Sequence, residues 1–212
     1  MHSTRYNRRW RCVAVLLMLL PAAAVSGCVG GLHHQRRTDS RSLVGLARGA
    51  GWQPGLTVVY MSGKFRHTNE MPSGDSIRQL GHPGAPILQF NHRFGLGEVF
   101  ASGRARGIGL EAAGFIHLEH PGIYRFKALA NDGIRVWIAD RLVVDDGEWH
   151  DSGDRFSEPR AFDNPQSGWA AIRLRYFQRK GTATLKLLWQ PPGQDDFKVI
   201  PAAAYAHGPP TG

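Results

Sequence analysis

The chain has 212 residues, a formal charge of +9 and two cysteines, Cys12 and Cys28. Loss of an amino-terminal export segment takes away Arg5, Arg8, Arg9, Arg11 and Cys12, so 26 basic residues less four stand against 17 acids, a charge of +5 with no second thiol for a disulfide. Residues 29–54 hold Arg36, Arg37, Arg41 and Arg48 against Asp39 alone, which leaves the remaining domain only about +2; the strongly basic face of a nucleic-acid binder is not expected on it.

In chain order, four arginines without an acid precede the apolar run Val13 to Leu20 and the small-residue stretch Pro21-Ala-Ala-Ala-Val-Ser-Gly-Cys28. This is the order of a secretion signal. Sixteen residues separate Arg11 from Cys28, short of the roughly 20 that span a hydrocarbon core. Val25-Ser-Gly-Cys28 resembles a bacterial lipobox, in which the Cys is acylated and becomes the first residue after cleavage; an ordinary signal peptide cut after Ala24 or Gly27 is the alternative. The resemblance implies residues 1–27 as signal peptide, Cys28 as the lipidation site and residues 28–54 as a flexible basic tether. Such a tether reaches roughly 30 Å from the membrane, and each basic residue adds about 1 kcal/mol of attraction to anionic lipid. Val29 is not the Asp that retains lipoproteins at the inner membrane in enteric bacteria, so an outer-membrane location is expected where two membranes exist.

After Pro54, short alternating runs between turn residues predict strands over Leu56–Tyr60, Ile87–Phe90, Gly114–Leu118, Gly122–Ala130, Ile134–Ala139, Leu142–Val144, Trp169–Phe177 and Thr182–Gln190. That spacing suits an all-β sandwich or barrel. Tyr124, Phe126 and Ala128 share a face opposite Arg125 and Lys127, and Ile134, Val136 and Ile138 alternate with Arg135 and Trp137. Between them Asn131-Asp132-Gly133 predicts a hairpin, because such a turn needs positive φ that these residues tolerate. Ala139-Asp140 then turns the chain back, completing a three-strand meander. Further on, Ala170, Ile172, Leu174 and Tyr176 oppose Arg173 and Arg175, while Ala183, Leu185, Leu187 and Trp189 oppose Thr182, Thr184 and Lys186. Long connections remain at 61–86 and 145–167, where ligand contacts are expected, and residues 208–212 are expected to form a disordered tail.

The ordered set Gly122-x-Tyr124-x-Phe126, Asn131-Asp132-Gly133, Trp137-Ile138, Gly168-Trp169, Tyr176-Phe177, Ala183-x-Leu185-x-Leu187-x-Trp189-x-Pro191 and Ile200-Pro201 resembles the PA14 domain, a β-sandwich module of bacterial toxins, adhesins and glycosidases. The likeness covers roughly residues 55 to 206 and implies an antiparallel β-sandwich over 55–207. In fungal adhesins with this module, paired acids at the position of Asn131-Asp132 hold calcium together with a nearby loop, and the ion ligates vicinal hydroxyls of a sugar. Carried over, this implies Asn131 and Asp132 as ligands of a calcium cofactor, with Gln178 of the loop 177–181 supplying an amide oxygen. Three departures stand out. Asn131 replaces the first acid, keeping an oxygen but losing a charge; Ala139-Asp140 stands where the family has Asp-Gly; and 160–167 lacks the apolar strand usual before the Gly-Trp. Arg179 and Lys180 also oppose a cation in that loop, and a plain turn at 131–133 is the alternative reading.

A second candidate is Asp145-Asp146-Gly147-Glu148-Trp149-His150-Asp151 with Asp154, which puts five carboxylates in ten residues. It offers hard oxygen ligands and, in Trp149, an aromatic face for a sugar. A solvated acidic loop, with Trp149 and His150 serving only to pack it, is the alternative. Enzymatic readings find little support: the histidines show no H-x-x-x-H pair for zinc, Gly107-Ile-Gly109 lacks the rest of a dinucleotide fingerprint, and no nucleophile elbow occurs. The expectation is a membrane-anchored, non-catalytic lipoprotein that binds a glycan or another envelope polymer and no nucleic acid. An envelope assembly factor that contacts a protein partner is the alternative.

Overall fold

The computed structural model describes residues 44–150 and 153–209. The signal peptide, Cys28, the tether as far as residue 43, Asp151 and residues 210–212 lie outside the described residues. Period-two alternation places successive side chains on opposite faces of a strand, and here it builds two facing antiparallel sheets. The larger runs β1 (Gln53–Pro54), β14 (Tyr205–His207), β5 (Ile108–Leu118), β11 (Gly168–Gln178), β7 (Ile134–Ile138) and β8 (Arg141–Asp146). Along the same edge of β5 that receives β14, β2 (Leu56–Ser62) pairs with the first half of β5 and also with β3 (Gly81–Ile87), which follows the short helix α1 (Asp75–Leu80). The smaller sheet runs β10 (Arg160–Asn164), β6 (Gly122–Asn131), β12 (Ala183–Gln190) and β13 (Lys198–Val199); β4 (Asn91–Gly95) adds to β12 and β9 (Arg155–Phe156) to β6.

The predicted faces meet between the sheets. Tyr124, Phe126, Ala128, Ile134, Val136, Ile138, Leu174, Tyr176, Leu185 and Leu187 all join one buried core, where a fully buried large apolar side chain contributes roughly 1.5–3 kcal/mol. The opposite face of β11 departs from the expected pattern at Arg175. It is buried, because residues 71–72 cover it: its guanidinium donates to the carbonyls of Met71 and Pro72, and Nε lies 3.2 Å from the Glu111 carboxylate.

Several elements differ from expectation. β6 and β7 belong to different sheets, so Asn131-Asp132-Gly133 carries the chain across the sandwich and is not a hairpin. None of its three residues has positive φ, and the Asn131–Asp132 peptide is cis. By contrast β7 and β8 do form a hairpin, with Ala139 and Asp140 at φ 47° and 61°. β5 begins at Ile108 rather than Gly114, its first half burying Ile108, Leu110 and Ala112. β10 is present without an apolar run, since as an edge strand it buries only Phe162 and Asn164. β3 tolerates two prolines because it too lies at a sheet edge. The ordered domain also starts earlier than Gly55. Val44 is in the core, the backbone of Leu46 exchanges two hydrogen bonds with Trp169, and Trp52 stacks on Phe115 with ring centroids 3.9 Å apart. Phe115 and Trp169 project from the outer face of the large sheet, and residues 44–52 cover them.

Candidate functional site

The crossover 131–133 is held against the end of β11 and the loop that follows it. Gly133 is required there for space: a Cβ would stand 2.5 Å from the Phe177 ring and 2.8 Å from the carbonyl oxygens of Gly147 and Glu148. The Phe177 backbone closes the corner, accepting from Asp132 N–H at 3.2 Å and donating to Gly133 O at 3.0 Å. Tyr176, last of the inward aromatic and aliphatic residues of β11, donates its hydroxyl proton to Asn131 O. The Asn131 amide in turn donates to Thr182 Oγ1 at 3.2 Å. Asp132 Oδ2 accepts from Arg179 N–H at 2.7 Å.

Four residues expected at the site are thereby gathered at one end of the sandwich. Asn131 and Asp132 form the crossover and Gln178 ends β11. Trp149 arrives from 147–150, a segment tied to its neighbours by Trp149 N–H to Arg66 O at 2.7 Å and Thr68 N–H to Gly147 O at 2.8 Å. Arg179 and Lys180 lie over the Trp149 ring, 5.5 and 4.9 Å from its centroid, and Arg179 also donates to Lys64 O at 2.9 Å. Both cations flanking the loop are engaged at the indole.

Asp132 is 1% exposed, and its Oδ1 is buried without a hydrogen-bond partner. Burial raises its pKa above the usual carboxylate value; the Arg179 N–H, the neighbouring His150 ring and the nearby backbone N–H groups of Lys180 and His150 offset this only in part. Those last two do not close a hydrogen bond to Oδ1. An orphaned carboxylate oxygen of this kind costs stability and is an acceptor waiting for a cation or donor. Gln178, in contrast, is committed: its amide nitrogen donates to Lys180 O and Thr182 O, both at 2.9 Å, and its oxygen is turned inward, 3.4 Å from the Tyr176 hydroxyl oxygen. It braces the loop and does not offer its oxygen outward.

Among the described residues, three carboxylates of the acidic run are engaged in ion pairs. Asp145 pairs with Arg135 at 2.7 Å and Arg160 at 2.9 Å, Asp146 with Arg155, and Asp154 with Arg93 at 3.6 Å. Burial would raise Asp146, but the His150 ring and the Arg155 guanidinium beside it outweigh that and hold its pKa below the ordinary value. His150 has a buried side chain with Nε2 3.2 Å from Asp146 Oδ2, so it packs inward, as its alternative reading expects. Among the described residues no group of three or more His, Cys, Asp or Glu is arranged to hold a metal ion. The supporting roles of Tyr176 and Thr182 were legible only as strand positions, since nothing local shows that the Tyr176 hydroxyl meets the crossover.

Residues 104–202 match the family model of the PA14 domain. Over that stretch the chain is identified as a PA14 domain. Its fold is also that of the PA14 domain of the MpAFP antifreeze protein, at 16% identity and TM-score 0.55 over 77% of this chain and 95% of that one. The epithelial adhesin 9 A domain from Candida glabrata, solved in complex with Galβ1-4GlcNAc, aligns at 10% identity and TM-score 0.57 over 77% and 94% of the two chains. An anti-sigma factor domain-containing protein from Clostridium clariflavum aligns at 17% identity and TM-score 0.60 over 76% of this chain, which spans about half, 49%, of that protein. No curated protein sequence matches the chain. The PA14 match stops short of residues 44–103, yet β2, β3 and β4 complete both sheets of the same sandwich.

Proposed function

We propose that this PA14 domain binds a glycan or another cell-envelope polymer without catalysis, at the end of the sandwich where the crossover 131–133, Trp149 and the loop 178–182 converge. The observation that carries this reading is the buried, partnerless Oδ1 of Asp132 beside an indole face held by two cations. The adhesin 9 domain crystallised with a disaccharide has the same fold, which supports a sugar as ligand. Calcium is part of the proposal: Asp132 Oδ1 and the Asn131 side-chain oxygen would hold it, while Gln178 would not. Bound there, the ion would supply positive charge for sugar hydroxyls. Export through the amino-terminal signal and acylation of Cys28 would display the domain on a membrane, the outer one where two exist.

The test is a glycan array probed with the full chain in calcium and in chelator. Binding lost in chelator and lost in Asp132→Asn is expected. Binding indifferent to both would remove this corner as the site, and co-purification of a single envelope protein without glycan binding would favour an assembly role. For the anchor, Cys28→Ser is expected to move the protein from the detergent phase to the aqueous phase; unchanged partitioning would contradict acylation.

A further inference from the structure

β6 links the two ends of the domain. Its ten residues at about 3.3 Å each put Gly122 roughly 30 Å from Asn131. At the Gly122 end, the β5–β6 turn and the connection from β12 to β13 enclose a cleft of about 310 Å³. We propose that this cleft is a second ligand site, independent of the Asp132 corner, that takes a short uncharged saccharide.

Its floor is aromatic. Trp189, the last inward residue of β12, lies partly exposed with its ring 5.7 Å from Tyr124, and Pro191 and Pro192 form a wall. The turn that closes the cleft is pinned by that floor, since the Tyr124 hydroxyl accepts from His120 N–H at 3.1 Å. On the rim, Lys198 Nζ donates to Gln194 Oε1 at 3.2 Å, which leaves the Gln194 amide nitrogen as a donor, and the exposed Glu119 carboxylate stands across as an acceptor.

The ligand class follows from this mixture. One carboxylate, Glu119, and one ammonium, Lys198, line the cleft beside the His120 imidazole, so the fixed charges balance and select neither an anion nor a cation. Donors and acceptors alternate above a flat apolar face, the pattern that suits a pyranose ring, whose C–H face is apolar and whose edge carries hydroxyls. The volume is at the low end of ligand cavities, roughly 300–1,000 Å³, and suits a short saccharide rather than a long chain segment. A proline-rich peptide would use the aromatic floor but leave the Glu119 and Gln194 side chains unanswered.

The test is an NMR titration of the 15N-labelled full chain with cellobiose and with N,N′-diacetylchitobiose, in chelator so that no calcium-dependent site contributes. Saturable shifts are expected at the Trp189 indole N–H and at the amides of Glu119, His120 and Gln194, and they should persist in Asp132→Asn. Gln194→Ala, on an exposed side chain, should weaken binding by up to about tenfold, since a net hydrogen bond is about 1 kcal/mol and 1.4 kcal/mol is tenfold. No saturable shift at these resonances with either disaccharide, shifts lost in Asp132→Asn, unchanged affinity in Gln194→Ala, or saturation by a polyproline peptide in place of the sugars would each overturn the proposal. Failure here leaves the Asp132 corner untouched, and failure of that corner leaves this cleft untouched.

Discussion

The two connections that flank β7 look alike in sequence and behave differently. Ala139-Asp140 makes a tight hairpin to β8 within one sheet, with both residues at positive φ. Asn131-Asp132-Gly133, the stronger hairpin motif, has no positive φ and passes from one sheet to the other. Turn residues show where a chain changes direction. They do not show which strand receives the next one, because that depends on distant partners: here β12 claims β6, and β11 claims β7. The consequence is functional, since the crossover brings Asp132 to the end of the sandwich and buries it, whereas a hairpin tip would leave it in water.

The largest effect is expected on the strand the two connections share. Val136 is wholly buried, so Val136→Asp should unfold the domain in thermal melts, an unpaired buried charge costing several kcal/mol. On the opposite face, Arg135→Asp should cost about 1–2 kcal/mol rather than nothing, because Arg135 is half-buried against Asp145 and also donates to Asn69. Next comes the crossover itself. Gly133→Ala forces a methyl against Phe177 and two carbonyls and should destabilise by about 1–3 kcal/mol. If it melted like the unmutated chain, Gly133 would be a turn former and not a packing residue.

The two buried acids should give opposite pH dependences. The Asp146 pKa is lowered, so its stabilisation is present above the unfolded value of about 3.9 and is lost as pH falls through the folded value; Asp146→Asn should flatten that acid limb. The Asp132 pKa is raised, so stability should fall as pH rises from about 3.9 through the raised value, and Asp132→Asn should remove that fall. Denaturation midpoints measured at stepped pH separate the two. The smallest effect is expected at the hairpin: Asp140→Gly relieves a positive φ and should be neutral or stabilise by less than about 1 kcal/mol.

Legibility in the sequence tracked how locally each feature is determined. β6, β7, β11 and β12 carry their core contacts in their own alternation, and Asn131, Asp132 and Trp149 are marked by family spacing. The edge strands β3 and β10 carry almost no apolar signal because they bury only one or two side chains each. The cover formed by residues 44–52 was hidden for another reason: its partners, Phe115 and Trp169, sit on strand positions that alternation assigns to solvent. The commitment of Gln178 to loop carbonyls was likewise invisible, since the same amide could equally face outward.

The most direct measurement is the thermal midpoint of the full chain and of Asp132→Asn, each with millimolar calcium and with chelator. A partnerless Asp132 Oδ1 that accepts the ion predicts a calcium-dependent rise in the unmutated protein, equivalent to about 2.7 kcal/mol at a hundredfold excess over the dissociation constant, and no rise in the variant. The Asn side chain can still accept from Arg179 N–H, so the comparison isolates the charge and the second oxygen. A midpoint indifferent to calcium in both proteins, or an equal rise in both, would contradict a cation-assisted site at Asp132.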